Sequence, residues 1–395
     1  MVCRWQWPAA VLGCLVLLTF CPVLTAFADF SGNTSTAGRW AAATTFPTGN
    51  LLAWGRNNAG QLGISNTYDA VSPVRVGSVT TWSARAAGGA FSCAVRTGGT
   101  LWCWGDNSSG QLGLGDTVGR TSPVRVGTNA TWASVAAGNE HACAVRTGGT
   151  LWCWGDNSSG QLGLGDIVGR TSPVRVGTNS TWTTVAAGGA HTCARNTGNI
   201  LWCWGSNASG QLGQGDTADR TSPTQVPGEW AAASTGRAHT CSVRTDNRLW
   251  CWGDNSSGQL GLGDAADRTV PVQVGVANNW RSVAGGGSHT CGTQATSTLW
   301  CWGSNASGRL GLGDTVDRTS PVQVGTATTW TSVTTGRAHT CGRRAAGTLW
   351  CWGSNASGRL GLGDTVDRTS PVQVPGTTAS SVVTGPDAAT TLAIT

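Results

Sequence analysis

The chain has 395 residues, including 59 Gly, 22 Trp and 15 Cys, and only 11% of it is charged. The net charge is +6, but all 25 basic residues are Arg, which excludes Schiff-base chemistry on Lys and a Walker-type phosphate lysine. The Arg residues are spread along the chain rather than run together, so there is no nucleic-acid stripe and no nucleic-acid partner is expected.

The first 28 residues read as a signal peptide. Arg4 supplies the positive start, Ala9 to Leu18 is an apolar stretch too short to cross a bilayer, and Ala26-Phe27-Ala28 is a small-x-small cleavage site. A mature chain starting at Asp29, exported and without a membrane span, is expected. Residues 29–37 form a short leading segment, and the repeated fold is expected over residues 38–395.

One phrase then recurs seven times, cleanest at Leu101-Trp102-Cys103-Trp104-Gly105-Asp106-Asn107-Ser108-Ser109-Gly110-Gln111-Leu112-Gly113. Its second Trp stands at 54, 104, 154, 204, 252, 302 and 352, a spacing of 50 with one interval of 48. Such a period means one supersecondary unit repeated, in a ring or an array.

Within a unit, Ser92 to Arg96 and Thr100 to Trp104 read as two strands of a hairpin. A register with Cys93 opposite Cys103 centres on Gly98, which predicts a three-residue turn with a left-handed third position. Gly49, Gly99, Gly149, Asn199, Asn247, Ser297 and Gly347 fall there. Disulfides are therefore expected at Cys93–Cys103, Cys143–Cys153, Cys193–Cys203, Cys241–Cys251, Cys291–Cys301 and Cys341–Cys351, consistent with export. The first unit has Ala43 and Ala53 at the matching places, the joint loss that a bonded pair predicts. Zinc needs four ligands, and a unit offers two Cys and at most one His.

Beyond the Trp-Gly turn, Asp116 and Arg120 are placed to pair across a Gly-rich loop. Ser122 to Val126 and Trp132 to Val135 complete four short strands, which describe one blade of a propeller. The chain opens in mid-unit and its last half-unit stops matching near Val383, so an N-terminal hairpin is expected to complete the last blade and close the ring. The fold class is all-β: a closed seven-bladed β-propeller of four-stranded blades.

Trp-Gly-x-Asn-x-x-Gly-Gln-Leu-Gly-x-Gly, the later Pro-Val-x-Val and Gly-x-x-His-Thr-Cys together resemble the regulator of chromosome condensation repeat, over about residues 38 to 385. The resemblance implies a seven-bladed β-propeller. It also suggests an alternative function, regulation of or nucleotide exchange on a small GTPase, as in the founding member. That protein acts through an insertion, whereas no unit here exceeds 50 residues.

No acid–base pair, nucleophile triad or metal set recurs at a fixed offset, so no catalytic residue, metal or cofactor is expected and the chain is read as a non-enzyme. His141, His191, His239, His289 and His339 share one slot and read as structural hydrogen-bonders. Six of nine Asn-x-Ser/Thr sequons belong to the Trp-Gly turn, where Asn is first a turn former. The repeats are near copies, yet the two residues just before the His slot vary, as in Asn139-Glu140, Arg237-Ala238 and Arg337-Ala338. Glu140, Arg237 and Arg337 are therefore the expected partner-binding residues of a monomeric, secreted scaffold for a protein or cell-surface ligand.

Overall fold

The computed structural model describes residues 49–395, so the expected signal peptide, the leading segment, and the positions of Arg39, Trp40 and Ala43 lie outside the described residues. The chain forms seven antiparallel sheets of four strands each. The first complete blade runs from an inner strand Trp82–Ala87 through Phe91–Arg96 and Thr100–Gly105 to an outer strand Arg120–Arg125. Inner strands are buried almost throughout, while outer strands are largely half-buried or exposed. Pro123 sits on that outer edge, where its missing N–H costs no ladder bond.

The blade is phased differently from the sequence unit. The strand Trp132–Ala137, expected as the fourth of its unit, is the inner strand of the next blade, in one sheet with His141–Arg146. Each outer-to-inner connection therefore passes between blades. The one shortened connection, between Arg220–Val226 and Trp230–Thr235, lies in such a crossing, where a deletion leaves every sheet intact.

Ring closure also differs in detail. The closing sheet takes its outer two strands, Leu51–Gly55 and Ala70–Arg75, from the start of the described chain. Its inner two, Ser381–Val383 and Thr390–Ile394, come from the end. Ala53 pairs with Leu392, so within the described residues its cross-strand neighbour is an apolar residue of the chain end and not the expected Ala43. The C-terminal strand was hidden from the repeat pattern because Thr390-Thr391-Leu392 replaces His-Thr-Cys. Its Thr391 still takes the Thr position, opposite Trp54.

The blades are joined at seams built from the repeated phrase. The backbone carbonyl of Gln161 accepts two hydrogen bonds from the following blade, from the Trp204 indole N–H at 2.9 Å and the Thr192 hydroxyl at 2.8 Å. Gln61, Gln211 and Gln259 accept the equivalent pairs, with Ser92 standing for Thr at the first. Two residues after each of these Gln, a left-handed Gly faces the same indole. A Cβ on Gly163, whose φ is 71°, would lie 2.6 Å from Trp204 Nε1. The fixed spacing Gly-Gln-Leu-Gly is thus a socket for the next blade's Trp.

Each hairpin is held locally. Cys93 stands opposite Cys103, and all six expected disulfides are present with Cα separations of 4.1–4.2 Å. The third turn residue is left-handed in six units, including Ser297 at φ 58°. Gly49 is the exception, because its strand has no local hairpin partner among the described residues and it instead bridges Trp82. At the end of four second strands an Arg guanidinium lies between two indoles, as Arg146 does at 4.2 Å from Trp132 and 3.8 Å from Trp152.

Peptide mapping without reduction should recover six intra-hairpin links and no link between blades; a mixed pairing would contradict the register. Removing one pair, as in Cys193→Ala/Cys203→Ala, should cost about 3 kcal/mol by loop entropy, read as a lowered denaturation midpoint. Gly163→Ala, which strains the backbone and crowds the indole, should cost about 2 kcal/mol in the same measurement.

Candidate binding face

The turns between inner and second strands gather at one mouth of the central axis. Their backbones hand hydrogen bonds from blade to blade. Asn139 N–H donates to Gly189 O, Gly189 N–H to Arg237 O, Arg237 N–H to Gly286 O, and Arg337 N–H to Ala388 O, at 3.1–3.2 Å. The long loops that follow each Trp-Gly open on the same side, because third strands end beside second-strand starts, as Gly105 does opposite Phe91. The hairpin turns face the other way.

A cavity of about 540 Å³ occupies this mouth. Glu140, Arg237 and Arg337, expected from their variability, all line it, together with Arg56, Asp106 and Asp387. The structure thus brings the three sequence-predicted residues to one site. Glu140 is exposed and accepts hydrogen bonds from Ser109 Oγ at 3.0 Å and Asn139 Nδ2 at 3.3 Å. Arg237 Nε lies 3.6 Å from Asp387 Oδ1. Burial raises the Asp387 carboxyl above its ordinary range, while Arg237 and Arg337 pull it back. Asp387 was missed by sequence reasoning because it sits in the unmatched turn Gly385-Pro386-Asp387-Ala388, which fills the seventh slot. The Pro-Asp turn signal after the last matching residue was the available clue.

The loops around the mouth are internally braced. Asn107 Nδ2 donates to Asp116 O and Oδ1 at 2.9 Å, and its Oδ1 accepts from Leu112 N–H at 2.8 Å. Asp116 and Arg120 form the expected pair at 2.7 Å, and five further units repeat it. The sequon residues Asn107, Asn157, Asn207, Asn255, Asn305 and Asn355 are fully buried with their amide N–H groups engaged, which closes them to glycosylation in the folded state. Asn33 lies outside the described residues; Asn129 and Asn179 are accessible.

The five His are fully buried just beneath the mouth. His191 Nε2 lies 3.0 Å from Thr240 Oγ1, and Thr240 donates its proton to Gln211 O. The hydroxyl has one proton, so it must accept from His191 Nε2–H, which fixes the tautomer. The same relation joins His141, His239, His289 and His339 to Thr192, Thr290, Thr340 and Thr391. Each Nδ1 is left without a hydrogen-bond partner among the described residues. Burial lowers the His141 and His239 pKa values from the ordinary 6.5 to about 4, and burial with neighbouring His lowers His191 to about 3. No group of three or more metal-ligating side chains occurs among the described residues. Among them no helix is long and apolar enough to cross a membrane.

The unfolded chain protonates these imidazoles near 6.5, the folded ring only near 4 or below, so the unfolded state binds protons first. Stability should be complete above pH 6.5 and fall as pH drops toward 4. A melting temperature unchanged between pH 7 and 4.5 would contradict neutral buried imidazoles.

A family model described as RCC1-like domain matches residues 125–390, and one described as regulator of chromosome condensation (RCC1) repeat matches residues 48–95 and 98–145. Human WBSCR16 shares the fold at a TM-score of 0.78 with 21% identity, over 88% of this chain and 98% of that one. Yeast RCC1 (Prp20), solved bound to Kap60, gives 0.76 at 20% identity over 88% and 89%. Prp20p of Saccharomyces cerevisiae, described with its binding to Gsp1p and histones, gives 0.77 at 20% over 89% and 92%. No curated protein shows significant sequence similarity to the chain.

Proposed function

The chain belongs to the RCC1-like domain family, and from that premise we propose that it is a secreted, non-catalytic scaffold binding a protein or cell-surface ligand through the mouth face. One observation carries the reading. Near-identical copies carry different residues in the turns before the His slot, and these turns meet at one cavity lined by Glu140, Arg237, Arg337 and Asp387. A rigid ring that presents charged groups differing between units at one mouth suits recognition of a protein surface. The six disulfides suit an oxidising compartment, which supports the reading of the first 28 residues as a signal peptide and of the chain as an exported monomer.

A second reading, regulation of a small GTPase, follows from family membership and from the likeness to Prp20p, a protein described as binding Gsp1p. The two readings are separable by assay. Glu140→Ala and Arg337→Ala should each cost about 0.5 kcal/mol of stability or less. Arg237→Ala should cost more, since Asp387 then loses its ion partner.

The triple variant should retain its circular dichroism spectrum yet lose a partner that the wild-type ring captures from the exported fraction. A variant of the opposite face, Thr128→Ala, should keep that partner. Equal capture by the triple variant would exclude this face. Accelerated nucleotide release from a small GTPase, or substrate turnover, would replace the scaffold reading.

A further inference from the structure

The mouth face is electrically divided. In the units at Trp104, Trp154 and Trp252 the residue after Trp-Gly is Asp106, Asp156 or Asp254, and a Gln five residues on donates to it. In the units at Trp302 and Trp352 the same two places read Ser304 with Arg309 and Ser354 with Arg359. Each change removes a carboxylate and adds a guanidinium. The neighbouring unit contributes Arg56, and the mouth turn between them contributes Arg337.

These four Arg are neighbours: Arg56 and Arg337 line one cavity, a Cβ on Gly55 would lie 3.2 Å from Arg359 Cα, and one on Gly353 would lie 3.1 Å from Arg309 Cα and 2.8 Å from Ala338 O. The Arg359 guanidinium is lowered from its ordinary value first by burial, with Asp367 opposing, and then by the charges of Arg337, Arg56 and Arg309. None of the four is ion-paired within 4.0 Å to a carboxylate among the described residues. The nearby acids have other hydrogen-bond or ion partners as well: Asp317 and Asp367 accept from the backbone N–H of Asn305 and Asn355, and Asp387, which also feels Arg337, lies nearest Arg237.

The two Arg also weaken the fold. In a Gln unit the side-chain Oε1 accepts from the backbone N–H two residues earlier, as Gln111 does from Ser109 at 2.8 Å. Arg has no acceptor. Arg309 Nε instead donates to Ala306 O at 3.0 Å, and Arg359 Nε to Ala356 O at 2.9 Å. The turn there is re-formed, with Ser307 at φ 60° and Ser357 at φ 65°. In the following blades the indoles of Trp352 and Trp54 have no hydrogen-bond partner among the described residues, although five other seams supply one. A buried donor left unpaired is unfavourable. Gln at 309 and 359 would serve the seam better, so the Arg residues are accounted for by the face they create and not by packing.

We propose that this basic sector, Arg56, Arg309, Arg337 and Arg359, binds a carboxylate-rich segment of the protein partner. The inference rests on the scaffold reading and adds the chemistry of the partner. A protein segment fits better than a nucleic acid, because a phosphate backbone crossing the mouth would meet Asp106 and Glu140 in the same cavity lining. A partner carrying acids over the Arg sector and cations over the opposite one matches both halves.

The test uses the full chain and a fluorescein-labelled octaglutamate peptide in anisotropy titrations, beside octalysine and a single-stranded oligothymidylate. Octaglutamate should bind, more weakly as salt rises. Arg309→Gln/Arg359→Gln should weaken it roughly tenfold, while the melting temperature stays level or rises as the Gln-type turns return. Arg56→Ala/Arg337→Ala, which leaves both turns alone, should weaken it similarly. Equal octaglutamate binding by wild type and both double variants, no binding at all, or tighter binding of oligothymidylate would overturn the inference. If Arg309→Gln/Arg359→Gln captures the exported partner as well as wild type does, the acidic-segment inference falls and the scaffold reading stands. Unchanged capture by the Glu140, Arg237 and Arg337 triple variant removes the mouth face, and nucleotide release or substrate turnover removes the scaffold reading itself.

Discussion

The ring depends on one carbonyl oxygen per seam. At Gln161 it accepts both the indole N–H of Trp204 and the hydroxyl of Thr192, and the hydroxyl in turn receives the proton of His141 Nε2. One backbone atom thus ties the loop of a blade to the second and third strands of the next, and the His ties back. The seam explains why the repeated phrase is long. Gly163 must lack a Cβ to admit Trp204, and Leu162 and Trp204 are wholly buried. The disulfides act at a different level, because each closes its own hairpin and none crosses a seam.

Much of this was legible in the sequence, for identifiable reasons. The ten-residue Cys spacing and the left-handed third turn residue each fix a hairpin register by local geometry, and both agree with the structure. The phase of the blade was not legible. The strand beginning at Trp132 follows its own unit in sequence, but only packing decides which sheet it joins. The closing strand Thr390–Ile394 was invisible to a pattern defined by Cys and His, since a strand that ends the ring has no local hairpin to staple. Asp387 was lost with it. Glu140, Arg237 and Arg337, singled out by their variability, fall together at the mouth, where the turns are tied to their neighbours through backbone atoms and leave the side chains free to differ.

The His array shows how a repeated residue can resemble a site without being placed like one. Five imidazoles at one slot invite a metal or acid–base reading. Each instead donates its single N–H to a Thr hydroxyl of the next blade, and its second nitrogen is shut in against a Gly such as Gly138, where a Cβ would overlap the ring. Neutrality at ordinary pH follows from that burial, and the cost of charging five such groups lies within the fold itself.

When seven units are nearly interchangeable, their agreement reports the demands of the ring and their disagreement is where other demands enter. The substitution of Arg for Gln at 309 and 359 is informative because the seam registers it: the turn is re-formed, and the indoles of Trp352 and Trp54 lose the hydrogen bond that the other seams make. The remaining bonds at these seams persist, from Thr340 to Arg309 O and from Thr391 to Arg359 O. The hydroxyl half of the joint is therefore enough to hold register, and the indole half can be given up locally. A ring with this redundancy tolerates charged departures on its mouth without losing its shape, which lets a chain of near-copies carry an asymmetric face.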